Sequence, residues 1–222
     1  FVRHHYKHGN NSEVVLGVLC TTAVIIGLVV GVYSVVRSLN EFHRLSQGAS
    51  YFNVIPTEPA KGKSDATTLD FTSSTVVDTQ RAFGFVDAHE VTPTTYCVSP
   101  ISSPDEGNRP RIQYWAAGIN CCESRGNFQC GEAGNADAHG AIVLPQATQD
   151  MEGFKSAVDG AEAAYGLTAG DKYLLVQWSK DPVAFRNSLR SNTVTLYLIF
   201  GSVYLVISLM IGCALMPVIT TK

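Results

Sequence analysis

The chain has 222 residues, 16% of them charged, and a formal net charge of −3. So mild an acidity, without a basic stripe, argues against a nucleic-acid-binding protein. Mean hydropathy is only slightly positive, yet the apolar residues are concentrated in two blocks rather than spread along the chain.

Residues 1–13, "FVRHHYKHGNNSE", form a polar tail. His4, His5 and His8 read as a solvated basic cluster or a partner contact rather than a metal site. Asn10 to Ser12 matches the N-x-S glycan acceptor, but it lies beside the first apolar block, and the central domain has no such sequence. Phe1 in place of Met implies that a segment precedes it. Val14 to Val36 then run 23 residues without a charge. At about 1.5 Å per residue that is roughly 34 Å, enough to cross a hydrocarbon core of about 30 Å. The run is too long for the apolar region of a signal peptide, and no clean cleavage site follows it. A first transmembrane helix is therefore expected over 14–36. Leu39, Phe42 and Leu45 extend the helical spacing through 37–48, a stalk ended by Gly48.

Residues 49–181 read as a soluble domain. "PTEPAKGKSDATT" near its start reads as a surface linker. "AFGFVDA", "TYCVSPI", "RIQYWAAGI", "AIVL" and "KYLLVQW" read as strands separated by Pro, Gly, Asn and Asp. One helix is expected within "TQDMEGFKSAVDGAEAAYG". Met151, Phe154, Val158, Ala161 and Tyr165 lie near helical spacing, and Gly166 is the stop. Tyr114, Trp115 and Trp178 are expected as core or interface aromatics.

Asp181 as N-cap and Pro182 at the first helical position open a second stalk over 182–193. Val194 to Met216 again run 23 residues without a charge and predict a second transmembrane helix. Pro217 is expected to end it, leaving a tail of 217–222. The fold class expected is thus α+β, with two transmembrane helices, extended as stalks, flanking a mixed, disulfide-stapled soluble domain.

Six cysteines, less Cys20 and Cys213 in the apolar blocks, leave four in the domain: Cys97, Cys121, Cys122 and Cys130. An even number in a compact region predicts two disulfides. A bond between neighbours Cys121 and Cys122 would strain the peptide between them. Two connectivities remain, each joining Cys97 to one member of the pair and Cys130 to the other. Each bond would add about 2–4 kcal/mol. No C-x2-C knuckle suggests zinc, and no C-x-x-C suggests a redox dithiol, so neither a metal nor a cofactor is expected.

Disulfides place the domain on an oxidising side of its membrane. Charge points the other way: Arg37, Arg44, Lys180, Arg186 and Arg190 flank the domain, against Arg3, Lys7 and Lys222 on the far side. The positive-inside rule weakens for loops beyond about 60 residues, so the cysteines decide the matter.

Ala23, Gly27 and Gly31 form small-xxx-small steps in the first apolar block; Ser208 and Gly212, with Gly201 nearby, do so in the second. Small residues let helix backbones approach closely, either within the chain or against a partner's helices. Neither block holds an internal charge or histidine, which argues against a transporter or channel acting alone. Asp87, His89 and Glu90, and the pair Asp137 and His139, are acid–histidine groupings without a nucleophile motif or phosphate loop, so no catalysis is expected.

"YCVSPI…IQYWAAGINCCESRGNFQC", followed by "GAIVLP", "FKSAVDGAEAAYGL" and "LLVQW", resembles a group of predicted membrane proteins abundant in dinoflagellate algae. They share a Tyr-Cys…Trp-Ala-x-Gly-x-(Asn/Asp)-Cys-Cys…Cys pattern, and the resemblance covers roughly residues 82–190. It implies an origin more than an activity. The Cys-Cys pair is also similar to that in the large loop of tetraspanins, but two spans rather than four and a mixed domain separate this chain from them. The function expected is a non-catalytic accessory subunit of a large membrane complex. The algal resemblance makes that a photosynthetic thylakoid assembly first and a mitochondrial respiratory complex second. The alternatives are a ligand-binding or sensor ectodomain of the endomembrane or surface system and, last, a thiol oxidoreductase.

Overall fold

A computed structural model describes residues 11–88, 93–104, 111–146 and 150–220. The chain divides into two compact units, Phe1–His43 with Arg186–Lys222, and Arg44–Phe185.

The first unit is a helix pair. Helix α1 spans Asn11–Ser34 and passes through a π-helical turn, Val35–Leu39, into α2, Asn40–Gln47. Helix α4 spans Pro182–Thr220. Both α1 and α4 are long and apolar enough to cross a membrane. The Tyr204 hydroxyl donates to the Leu19 carbonyl at 2.6 Å, and a methyl added at Gly31 would lie 3.9 Å from the Tyr197 hydroxyl. Tyr204 is thus level with Leu19 and Tyr197 with Gly31, so the helices run antiparallel. Val30, Ser34 and Thr193 are buried among the described residues of the unit. Two of them turn their hydroxyls inward: Ser34 donates to Val30 and Thr193 to Leu189, each one turn back along its own helix.

Two expectations at the helix ends meet the structure differently. Asp181 does cap α4: its carboxylate accepts the Ala184 N–H at 2.8 Å. Pro217 does not stop the helix, which continues to Thr220. Proline's fixed φ suits a helix, and so near the end its ring removes only a single backbone donor.

The second unit is a mixed sheet with one helix. Its strands are β1 (Ala49–Val54), β2 (Ala66–Phe71), β3 (Val76–Val77), β4 (Phe83–Asp87), β5 (Thr94–Ser102), β6 (Arg111–Ile119), β7 (Gly140–Val143) and β8 (Thr168–Ser179). They lie in the order β1-β2-β7-β8-β6-β5-β3, with β4 also pairing β5. β1 with β2 and β6 with β8 are parallel; the other pairs are antiparallel.

Helix α3 (Met151–Tyr165) covers one face. Phe154, Ala157, Val158 and Ala161 recur at helical spacing and are buried against Tyr96, Val98, Ile112, Trp115, Ala117 and Leu175. Gly166 ends the helix at φ 63°, where its N–H meets the Glu162 carbonyl. Among the described residues no α-helix covers the opposite face. Leu69, Phe71, Tyr114, Ala116, Val176 and Trp178 pack there against Phe128, Cys130 and Ala138 from the long segment between β6 and β7. Phe71 anchors the cluster, with its ring 5.2 Å from that of Tyr114 and 5.5 Å from that of Trp178. Trp115 is fully buried on the helix side and Tyr114 on the other, as alternation along β6 requires.

The expected surface linker is corrected. Within 56–68 the chain forms a 3-10 turn, Ala60–Lys63, and enters β2, with Ala60, Ala66 and Thr67 buried. Pro59 and Lys61 are exposed, while Pro56 and the alanines Ala60 and Ala66 turn inward. The Ala60 N–H also donates to the Gln113 side chain at 3.2 Å, tying this segment to β6.

Candidate functional site

The feature that sets the domain apart is a pair of disulfides on the face opposite α3. The bonds are Cys97–Cys122 and Cys121–Cys130, one of the two connectivities the spacing left open. Cys97 lies in β5. Its register partners are Gly84 on β4 and Gly118 on β6, so a row Gly84–Cys97–Gly118 crosses three strands. The two glycines open a slot for the sulfurs. A methyl at Gly118 would lie 2.6 Å from Cys130 Cβ and 2.7 Å from both Cys121 Sγ and Cys130 Sγ. One at Gly84 would lie 2.6 Å from the Glu123 carbonyl and 3.0 Å from Cys122 Sγ. A side chain at either position would have to displace backbone or a disulfide.

Asn120 delivers the Cys-Cys pair to that slot. It closes β6 in the left-handed region at φ 56°, which asparagine tolerates better than most residues. Its side chain accepts the Thr95 N–H, and its own N–H donates to the Thr95 carbonyl, both at 2.8 Å. The loop that follows is laid along β4. The Gly84 N–H donates to the Ser124 carbonyl and the Gly126 N–H to that of Ala82, while within the loop the Gln129 N–H donates to the Cys121 carbonyl.

Cys97 and Cys130 are buried, whereas Cys121 and Cys122 are half-buried, so each bond joins an inner cysteine to an outer one. The Sγ atoms of Cys97, Cys121 and Cys130 lie within 4.8 Å of one another. As disulfides they offer no thiolate to a metal; what they offer is structure and thiol–disulfide exchange. Cys20 and Cys213 are free and exposed within the helix pair.

The other residues singled out in the sequence separate clearly. His139 Nδ1 lies 3.2 Å from the Thr75 carbonyl, and its own carbonyl accepts the Phe71 N–H, which makes it a packing residue. Asp137 is exposed, and Lys180 Nζ approaches it at 3.7 Å. His4, His5, His8, His89 and Glu90 lie outside the described residues. Along the helices, a methyl at Gly27 or Gly201 would meet nothing within 4 Å, Ala23 is half-buried, and the Ser208 hydroxyl is buried without a hydrogen-bond partner among the described residues. Gly212 lies in α4.

Two concavities escaped sequence reasoning, because each joins residues far apart in the chain. One, of about 560 Å³, is an apolar groove in the helix pair lined by Ile25, Ile26, Val29, Tyr33, Leu196 and Phe200. The other, of about 300 Å³, lies beside the start of α3 over Leu174 and Leu175 and is edged by Lys61, Lys155 and Lys172. Tyr173 at its wall has its phenol pushed up by burial and then by Asp159 and Glu162. Tyr114, in the core nearby in sequence but on the opposite sheet face from Trp115, has a buried hydroxyl with no hydrogen-bond partner among the described residues. Burial, then the charge of Glu58, pushes that phenol up to about 12.

No protein-family model matches the chain, and no match is found among curated proteins or solved structures.

Proposed function

We propose that the chain is a membrane-anchored, non-catalytic accessory subunit of a larger membrane assembly, with its stapled domain on the oxidising side. The carrying observation is the helix pair. Leu28, Val29, Leu198, Leu209 and Met210 are each 60% or more exposed, a surface that needs lipid or other helices around it. Gly27 and Gly201, open beside these side chains, would let a partner's helix backbone come close. The two disulfides support an oxidising compartment. The algal resemblance puts a thylakoid assembly, with the domain in the lumen, ahead of a respiratory complex.

Native membranes, solubilised mildly and separated on a native gel, test this by mass spectrometry of the bands. Migration with a complex of many hundreds of kilodaltons supports the reading, and the neighbours in that band identify the compartment. Migration alone or as a small oligomer overturns it.

The cleft edged by Lys61, Lys155 and Lys172 favours a second reading, a ligand-binding ectodomain. Three of the chain's seven lysines line it with a single carboxylate, Asp171, which pairs with Arg111, above an apolar floor suited to a small organic anion.

A further inference from the structure

We propose that the four domain cysteines form one exchange-coupled set: reduction by two electrons leaves Cys97 bridged to Cys130 and presents Cys121 and Cys122 as a vicinal dithiol, a site for soft, thiophilic ligands such as trivalent arsenic.

Each disulfide joins a half-buried cysteine, Cys121 or Cys122, to a buried one, Cys130 or Cys97. A reductant of the dithiol class therefore attacks at Cys121 or Cys122. Attack at Cys121 forms a mixed disulfide with the reagent, breaks Cys121–Cys130 and releases the Cys130 thiolate. That sulfur lies within 4.8 Å of Cys97 Sγ. It attacks Cys97, forms Cys97–Cys130 and expels the Cys122 thiolate. The reagent's second thiolate then attacks its own sulfur in the mixed disulfide, frees Cys121 and leaves as a cyclic disulfide. The protein has gained two electrons and two protons, and the reagent has lost the same.

Attack at Cys122 converges on the same product. It releases the Cys97 thiolate, which attacks Cys130 and expels Cys121. In both routes the negative charge moves from a buried cysteine to a half-buried one, nearer to water, and burial disfavours a thiolate. In both, the final bond joins the two inner sulfurs, which the next thiol can reach least easily. Gly118 faces this exchange from β6, with no side chain to separate Cys130 from Cys97, its own register partner. A simple staple behaves differently, because reduction of either native bond would leave one inner and one outer thiol free and the other native bond intact.

The test uses the full chain in lipid nanodiscs, with Cys20 and Cys213 first blocked by a maleimide. Dithiothreitol is added in steps, samples are quenched with acid, and free thiols are alkylated with a second maleimide. Trypsin cuts after Arg81, Arg111 and Arg125, so Cys97, the Cys121–Cys122 pair and Cys130 fall on three separate peptides. The expected two-electron species carries two labels on the Cys121–Cys122 peptide, with the Cys97 and Cys130 peptides disulfide-linked. It is also retained on a phenylarsine oxide resin, at least tenfold more than the fully oxidised chain. A dominant two-electron species labelled on Cys97 with Cys122, or on Cys121 with Cys130, overturns the proposal. So does direct passage to four free thiols with no two-electron species.

Discussion

The helix pair and the sheet domain solve opposite problems with the same chain. In the domain, Trp115, Tyr114 and Val98 are fully buried and Leu69 is 1% exposed. In the helix pair, Leu28 is 63% exposed and Met210 68%. The domain excludes water from its own apolar groups and closes the result with two covalent bonds. The helices leave theirs outward, and the Tyr204 hydroxyl joins them through its bond to the Leu19 carbonyl. A single set of physical rules thus holds the two regions differently: hydrophobic burial and cross-links in one, sparse helix contact with a hydrogen bond between the helices in the other. A perturbation aimed at one unit should therefore leave the other nearly untouched.

The largest expected effect is on the domain alone. Replacing Cys97 and Cys122 with alanine opens a cross-link spanning 25 residues, and a loop of that size stabilises by about 3.5 kcal/mol. The same change at Cys121 and Cys130, 9 residues apart, should cost about 2.5 kcal/mol. Chemical denaturation of the domain by near-ultraviolet signal measures both. Equal losses would contradict the loop-length ranking, and a simultaneous loss of the helix pair's far-ultraviolet signal would break the separation of the units. Next comes Gly118→Ala, whose methyl would lie 2.6 Å from Cys130 Cβ. Overpacking of this kind costs about 1–3 kcal/mol, and alanine at the open Gly27 should cost nothing comparable.

A smaller effect belongs to the helices. Tyr204→Phe removes the bond to the Leu19 carbonyl, worth about 0.6 kcal/mol in a membrane, and steric trapping in bicelles should detect it without a change in the domain. The smallest is Tyr114→Phe. Its hydroxyl has no partner among the described residues, so the substitution should be neutral to slightly stabilising at pH 7. At high pH the sign matters. The folded state holds the Tyr114 proton up to about 12, against the usual 10.0, so the unfolded state loses it first. Folding stability is full below pH 10 and falls as pH rises toward 12. The phenylalanine variant should lose less stability than the natural chain across that window.

Much of this comparison was legible in the residues. The uncharged blocks set the two long helices, and β-branched and aromatic runs set β4 to β8. An apolar stripe at helical spacing with a glycine stop set α3. What escaped was built from weak local signals. β2 opens inside the polar run 56–68, which reads as a linker, and β1 pairs with it in parallel, so no short hairpin turn announces either strand. The disulfide choice was hidden for a similar reason. Which cysteine meets Cys97 depends on how Asn120 turns the chain after β6 and on Gly84 and Gly118 making room on either side, and neither is a property of cysteine spacing. The two concavities join residues brought together only by the fold.

The most direct single measurement is a thiol count on membranes carrying the chain, washed with alkaline carbonate, denatured and alkylated without reductant. The expected result is a chain that stays in the membrane pellet and takes two labels, on Cys20 and Cys213, with Cys97, Cys121, Cys122 and Cys130 unlabelled until reduced. A chain released by carbonate, or one labelled at all six cysteines, would contradict the proposed membrane anchorage of the helix pair or the disulfide closure of the domain.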